Sequence, residues 1–241
     1  MSYFVLLGTF LLATLLHELG HVAGAKLVRI QVRTLSVGFG PVLARATYRG
    51  VTYQLCLLLL GGYVLPADAA VTRGRRIVFV ASGLIMSIVL VPLACLSVLQ
   101  IMNPAQSLVA GWYHLITPWV TYPVHFLFDS LPSLLPDGPY TVTVLLQLLA
   151  ATSLFLGLTN CLPLIMLDGG QLLLLLFEGW FPVLRQQERR LLKISYVLLG
   201  LLIAVPILIV FVKHIETTYP ILLVGAFILY RVVKLSPGMR L

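Results

Sequence analysis

Residues 3–27 read YFVLLGTFLLATLLHELGHVAGAKL. The run is long and apolar enough to cross a bilayer, which takes about 20 such residues in a helix. Three ionisable side chains interrupt it: His17, Glu18 and His21. With no basic region before the apolar run, these interruptions separate it from a secretory signal. An ionisable group at the centre of a spanning helix costs about 2.5–3.5 kcal/mol on insertion scales, so three in five residues call for a shared purpose. His17 and His21 stand four apart and share one helix face. Two imidazoles at that H-E-x-x-H spacing suit one tetrahedral zinc, with Glu18 placed to act as general base on a water. Polar contact between helices, or an ion site in a transporter, would use the same residues without hydrolysis.

Working outward, the whole chain has the composition of this segment. Of 241 residues, 60% are hydrophobic and 10% charged, against roughly 25% charged in an ordinary soluble domain. A soluble globular domain and a disordered chain are both excluded, and an α-helical polytopic membrane protein is expected, as a single domain over 1–241. Further spans are predicted at 77–102, 141–164 and 194–212, and a shorter one at 219–233. That makes five, or four if the last run lies in the interface. Lys and Arg gather in 26–76, 185–193 and 231–240, and none falls in 103–140. By the positive-inside rule this places the N-terminus outside and the C-terminus in the cytoplasm. The net charge of +8 is thereby a topology signal. No basic cluster sits on a soluble module, so the partner it implies is the lipid bilayer and not nucleic acid. Cys56, Cys95 and Cys161 are odd in number and scattered, which predicts apolar fillers and no disulfide framework.

Two segments between spans have their own character. Within 28–64, alternation at 30–33, 43–48 and 51–55, with Arg49-Gly50 as a turn, predicts a small antiparallel β-sheet on the cytoplasmic side. An open sheet cannot face lipid, so it is expected against the helices or along a wet cavity. Residues 107–136 carry Trp112, Tyr113, Trp119 and Tyr122 but are interrupted by Pro118 and Pro123. They predict an aromatic interfacial or re-entrant segment on the outer side.

A zinc hydrolase needs a third protein ligand and an open position. With eight carboxylates in the chain, the candidates are few. Asp68 lies in a loop, Asp129 and Asp137 on the outer side, and Glu178 and Glu188 in a cytoplasmic loop. Asp168 falls at the cytoplasmic end of the third span. His17 lies about 21 Å along the first helix from Tyr3, at 1.5 Å per residue. Spans one and three run the same way, so Asp168 reaches a similar level. The alternative is an aspartate that caps the next helix. Cys161, seven residues before Asp168, is expected to take a packing role and not to bind the metal.

These motifs resemble the site-2 protease family of intramembrane zinc metalloproteases. The first match is His17-Glu18-Leu19-Gly20-His21. The second is Asn160-Cys161-Leu162-Pro163-Leu164-Ile165-Met166-Leu167-Asp168-Gly169-Gly170, similar to the family's N-x-x-P-x-P-x-L-D-G-G, with Ile165 where relatives often carry proline. Val37-Gly38-Phe39-Gly40-Pro41 and Gly61-Gly62-Tyr63-Val64 resemble its membrane-associated β-hairpin and G-G-Y-V segment. Ala81-Ser82-Gly83-Leu84-Ile85-Met86-Ser87 loosely resembles its A-G-P-x-x-N, with Leu84 for proline and Ser87 for asparagine, a departure expected to touch helix packing and not the metal.

The resemblance covers roughly residues 3–213. It implies a compact member without PDZ or CBS domain, since 103–140 and 214–241 are too short for either. It implies one zinc per chain on His17, His21 and Asp168, Glu18 as general base, and Asn160 binding an extended substrate backbone. The substrates it implies are the membrane-spanning segments of other proteins, cut in regulated intramembrane proteolysis. A prokaryotic plasma membrane, with the active site toward the cytoplasm, fits so compact a protease. A non-proteolytic ion transporter and a catalytically dead binding relative are the alternatives.

Overall fold

The computed structural model describes residues 2–67, 71–104, 107–121, 141–178, 180, 187, 189–198 and 200–201. The expected span at 219–233, most of that at 194–212, and the outer aromatic segment beyond 121 lie outside the described residues.

Helix α1 (Ser2–Leu27) is the expected first span. Its burial runs opposite to that of a soluble amphipathic helix. Thr14, His17, Glu18, His21 and Ala25 are buried, while Phe4, Leu12, Leu19 and Leu27 are exposed. The buried positions recur at the 3.6-residue period, so the polar stripe faces protein and the leucines face outward, as a bilayer requires. Helices α2 (Arg73–Ile85) and α3 (Val91–Met102) form one rod of 30 residues. They are joined by a π-helical turn, Met86–Leu90, in which the Val91 N–H reaches the Met86 carbonyl. Pro92 explains that turn. It has no N–H to offer the carbonyl four residues back, and its ring would collide with it, so the helix widens by one residue. Helix α5 (Val142–Asn160) is the third segment long and apolar enough to cross a membrane.

Three helices of that kind are present among the described residues, so the expectation of five is borne out only in kind. The third span also ends earlier than expected, at Asn160. Residues 161–167 form tight turns, and a separate helix α6 (Asp168–Phe177) follows. Pro163 supplies the break, because it lacks an N–H and biases the residue before it away from helical geometry. Between α3 and α5 lies α4 (Leu108–Thr121). It runs through Pro118, expected to interrupt this segment. The proline stands near the helix end, where one missing hydrogen bond is tolerated.

The sheet has two long bent strands, β1 (Val32–Tyr48) and β2 (Val51–Pro66), in antiparallel pairing. Their turn, Arg49-Gly50, has φ of 48° and 79°. Two positive φ angles give the type I′ geometry that matches strand twist. Residues 34–37 are registered with both 62–65 and 52–55, so this part of β1 is flanked on two sides. Thr34, Leu35, Ser36, Cys56 and Val64 are buried, whereas Leu43, Tyr48 and Tyr53 are exposed. Only the inner half of the sheet rests on protein; the sheet was expected against the helices or along a wet cavity. The outer hairpin satisfies its own backbone groups by pairing and can project.

The helical core between α3 and α5 is built on Val91, Cys95 and Ala150, with Leu16, Met86, Leu146 and Leu149 packed around them. Small residues let the helices approach closely. A Cβ at Gly20 would meet Met86 Cβ at 2.6 Å and the Ser82 carbonyl at 2.9 Å, and one at Gly24 would overlap the Ser82 side chain. Gly20 and Gly24 are a small-x-x-x-small pair, the usual device for backbone contact between membrane helices.

Candidate metal centre

His17, Glu18 and His21 come from the buried face of α1, and Asp168 from the first turn of α6. The structure brings the two histidines and the aspartate together. His17 Nε2 lies 2.9 Å from Asp168 Oδ2 and His21 Nε2 lies 3.1 Å from the same oxygen. The two Nε2 atoms are 3.2 Å apart. Tetrahedral zinc with bonds near 2.0–2.1 Å holds its ligand atoms about 3.3 Å apart. Two imidazole nitrogens and a carboxylate oxygen are also a donor set that zinc hydrolases use. The residues fit a metal ion. Among the described residues, this is the group of His, Cys, Asp and Glu close enough to hold one.

Each imidazole is oriented from behind. The Phe79 carbonyl can only accept, so His21 Nδ1, 2.9 Å away, is the donor. The neutral ring then presents its Nε2 lone pair to the centre. His17 Nδ1 sits 2.9 Å from the Ser87 hydroxyl, which can accept from it in the same tautomer. Hydrogen bonds of this kind fix ring orientation and raise ligand basicity. The Ser87 carbonyl is in turn held by the Ser153 hydroxyl at 3.1 Å, so α5 braces the π-helical turn. A Cβ at Gly83 would overlap the His21 ring.

Within 81–87, Gly83 and Ser87 therefore touch the two histidines and do not merely pack helices, contrary to expectation. Phe79, Gly83 and Ser87 were missed as site residues because their roles are made by contact with α1. The loose likeness to A-G-P-x-x-N was the signal that could have marked Gly83 and Ser87.

Asp168 meets the histidines and is not the cap that was the alternative, since Leu167 is the N-cap of α6 and no side chain caps it. It is the first residue of α6, where its charge suits the helix N-terminus. The D-G-G sequence has a steric reason. A Cβ at Gly169 would overlap the Cys161 backbone, and one at Gly170 would overlap the Leu164 carbonyl. Only glycines let the 161–167 turns fold onto the start of α6.

Glu18 is 3% exposed and stands outside the ligand group. Its Oε2 has no hydrogen-bond partner among the described residues. A buried carboxylate oxygen left unpartnered is costly, and a group kept at that cost beside three residues that could hold a metal suits proton transfer. Its other oxygen faces β2, since a Cβ at Gly62 would come within 2.7 Å of Oε1. Asn160 closes α5, partly exposed, and its side chain makes no hydrogen bond among the described residues. The structure does not bring it into the ligand group. Cys56 and Cys95 are buried as expected, but Cys161 is exposed. It lies in the turn after α5, not on a helix face that packs. Asp68, Asp129, Asp137 and Glu188 lie outside the described residues, and Glu178 follows the far end of α6.

The model of Peptidase family M50 matches residues 4–205. A protein of Chlamydia trachomatis, provisionally named a zinc metalloprotease, is 44% identical over 63 residues, which is 26% of this chain and 10% of that protein. One of Treponema pallidum, with the same provisional name, is 46% identical over 52 residues, 22% of this chain and 12% of that one. The chloroplastic membrane metalloprotease ARASP of Arabidopsis thaliana is 46% identical over 48 residues, 20% of this chain and 11% of that protein. The matched stretches thus span about a tenth of each relative's length.

Proposed function

The chain belongs to peptidase family M50, and on that premise we propose that it is an intramembrane zinc endopeptidase. Its substrates are the membrane-spanning segments of other proteins, cut within or near the bilayer as a step of regulated intramembrane proteolysis. The observation that carries the reading is the meeting of Asp168 with His21, 147 residues earlier in sequence, and with His17, within hydrogen-bonding distance, beside a buried carboxylate whose Oε2 has no partner among the described residues.

His17, His21 and Asp168 hold one zinc per chain. Zinc, when bound, supplies Lewis acidity toward the scissile carbonyl and toward water. Glu18 accepts the proton of the attacking water at Oε2 and delivers it to the leaving amine nitrogen. The Phe79 carbonyl and the Ser87 hydroxyl keep both imidazoles in the ligating tautomer throughout.

A helical substrate hides its carbonyls in its own hydrogen bonds and has to be unwound before attack. The sheet offers replacement bonds. Residues 62–65 pair with 34–37 on one side and have no ladder partner on the other among the described residues. An extended substrate added at that edge would run past Gly62, next to Glu18. Asn160, with its amide uncommitted, binds the same extended backbone. In the bilayer the chain spans five times, with the N-terminus outside and the zinc toward the cytoplasm, a topology supported by the Lys and Arg distribution.

Cleavage of a single-span reporter by purified protein, wild type against Glu18→Gln, tests the reading. Cleavage by the wild type alone is expected. Equal cleavage by both would remove Glu18 and the mechanism with it.

A further inference from the structure

The turn that delivers Asp168 leaves one backbone donor over. The Leu167 N–H bonds the Leu164 carbonyl at 2.7 Å, which makes 164–167 a β-turn with Ile165 at its second position. That position uses no N–H within the turn, and its φ is the one proline supplies ready-made. Here the residue is isoleucine, so its N–H needs an acceptor from elsewhere. The structure supplies it from the helix at 189–198. Ser195, 4% exposed, accepts from the Ile165 N–H at 2.9 Å, and its own hydroxyl donates to the Leu191 carbonyl at 2.9 Å. Donor and acceptor are both used, so the serine is fixed in rotamer and the turn is fixed to the helix.

We propose that Ser195 is a positioning residue for Asp168, doing by a hydrogen bond from the following helix what a proline at 165 would do within the turn. Asp168 follows Ile165 by three residues, and Gly170 lets the same turn pack closely against the start of α6. A shift of the Leu164–Leu167 turn is therefore passed to the carboxylate, with little slack to absorb it. The inference rests on the reading of Asp168 as a metal ligand and adds a residue that touches neither metal nor substrate.

The test measures zinc affinity by chelator competition on the purified full chain, alongside Asp168→Ala as reference. Ser195→Ala leaves the Ile165 N–H without its acceptor and is expected to weaken zinc binding about tenfold, the scale of lost outer-shell support. Ile165→Pro alone is expected to bind zinc as the wild type does. Ser195→Ala combined with Ile165→Pro is expected to recover most of the loss, because the orphaned donor is gone. A general packing defect at residue 195 would not be rescued from residue 165. If Ser195→Ala fails to fold, recovery of folded, zinc-binding protein in the double variant reads the same coupling. Undiminished affinity in Ser195→Ala, or a double variant no better than the single, would overturn the proposal. If Asp168→Ala itself binds zinc like the wild type, it is the ligand assignment that fails, and Ser195 loses its role with it.

Discussion

Gly83→Ala puts one methyl group against His21, a proposed zinc ligand. The three nearest atoms to a Cβ at this position are Nε2, Cε1 and Cδ2 of His21. Ordinary contact between such atoms is about 3.5–4.0 Å, so the ring has to retreat by about 1 Å. It has little freedom to do so. Nδ1 is held by the Phe79 carbonyl at 2.9 Å, and the Phe79 ring stands 5.3 Å away, centroid to centroid. Displacing the ring stretches that bond and moves Nε2 off the point it shares with His17 and Asp168. Catalytic groups tolerate about 0.5 Å, and a 1 Å misplacement costs about 100-fold in rate. Zinc affinity is expected to fall 10- to 100-fold, roughly as for other losses of ligand orientation. Overpacking by one methyl costs about 1–3 kcal/mol of stability, so the protein should still be purified folded. Chelator competition and reporter cleavage are the assays, with size-exclusion profile and circular dichroism as controls for folding. Zinc affinity and cleavage rate both within twofold of wild type would refute the reasoning, since they would mean that the α1–α2 contact does not set the His21 ring.

Ser87→Ala removes the hydrogen-bond partner of His17 Nδ1 and is expected to lower zinc affinity about tenfold, with Ser87→Thr closer to wild type in the same titration. Gly170→Ala drives a Cβ into the Leu164 carbonyl, backbone that cannot swing aside, so zinc content and melting temperature should both fall. Gly8→Ala on α1 meets nothing within 4 Å and should change neither. Arg73→Ala removes the guanidinium that donates to the Leu175 and Leu176 carbonyls at the end of α6. At this partly exposed site the loss should be about 1 kcal/mol, read by denaturant unfolding in detergent.

Much of the site was legible because its chemistry is local. The spacing of His17 and His21 is a property of one helix, and their cost inside an apolar run marks them without reference to the rest of the chain. Asp168 could be found because carboxylates are scarce here and it follows the third span on the same side as the histidines. Its own helix could not be foreseen from apolarity, which runs nearly unbroken from 141 to 177. The break is set by Pro163 and by two glycines whose purpose appears only when the turn folds onto them. Phe79, Gly83, Ser87 and Ser195 were illegible for a different reason. They act through contacts made 30 to 70 residues away in sequence, and a serine or a backbone carbonyl has no marked spacing. The sheet was read correctly in its Arg49-Gly50 turn but too short in its strands. The inner pairing of 34–37 with 62–65 falls in segments whose glycines and unbroken leucines hide the alternation.

The central claim is that two histidines and one aspartate hold a single zinc, with Glu18 free beside it. X-ray absorption at the zinc edge of the purified full chain, with zinc counted per chain, tests it directly. The account predicts one zinc per chain bound by nitrogen and oxygen only, with imidazole scattering from two rings. The same spectrum is expected from Glu18→Gln and a smaller zinc content from Asp168→Ala. A sulfur ligand from Cys161, or a spectrum and zinc content unchanged in Asp168→Ala, would contradict it.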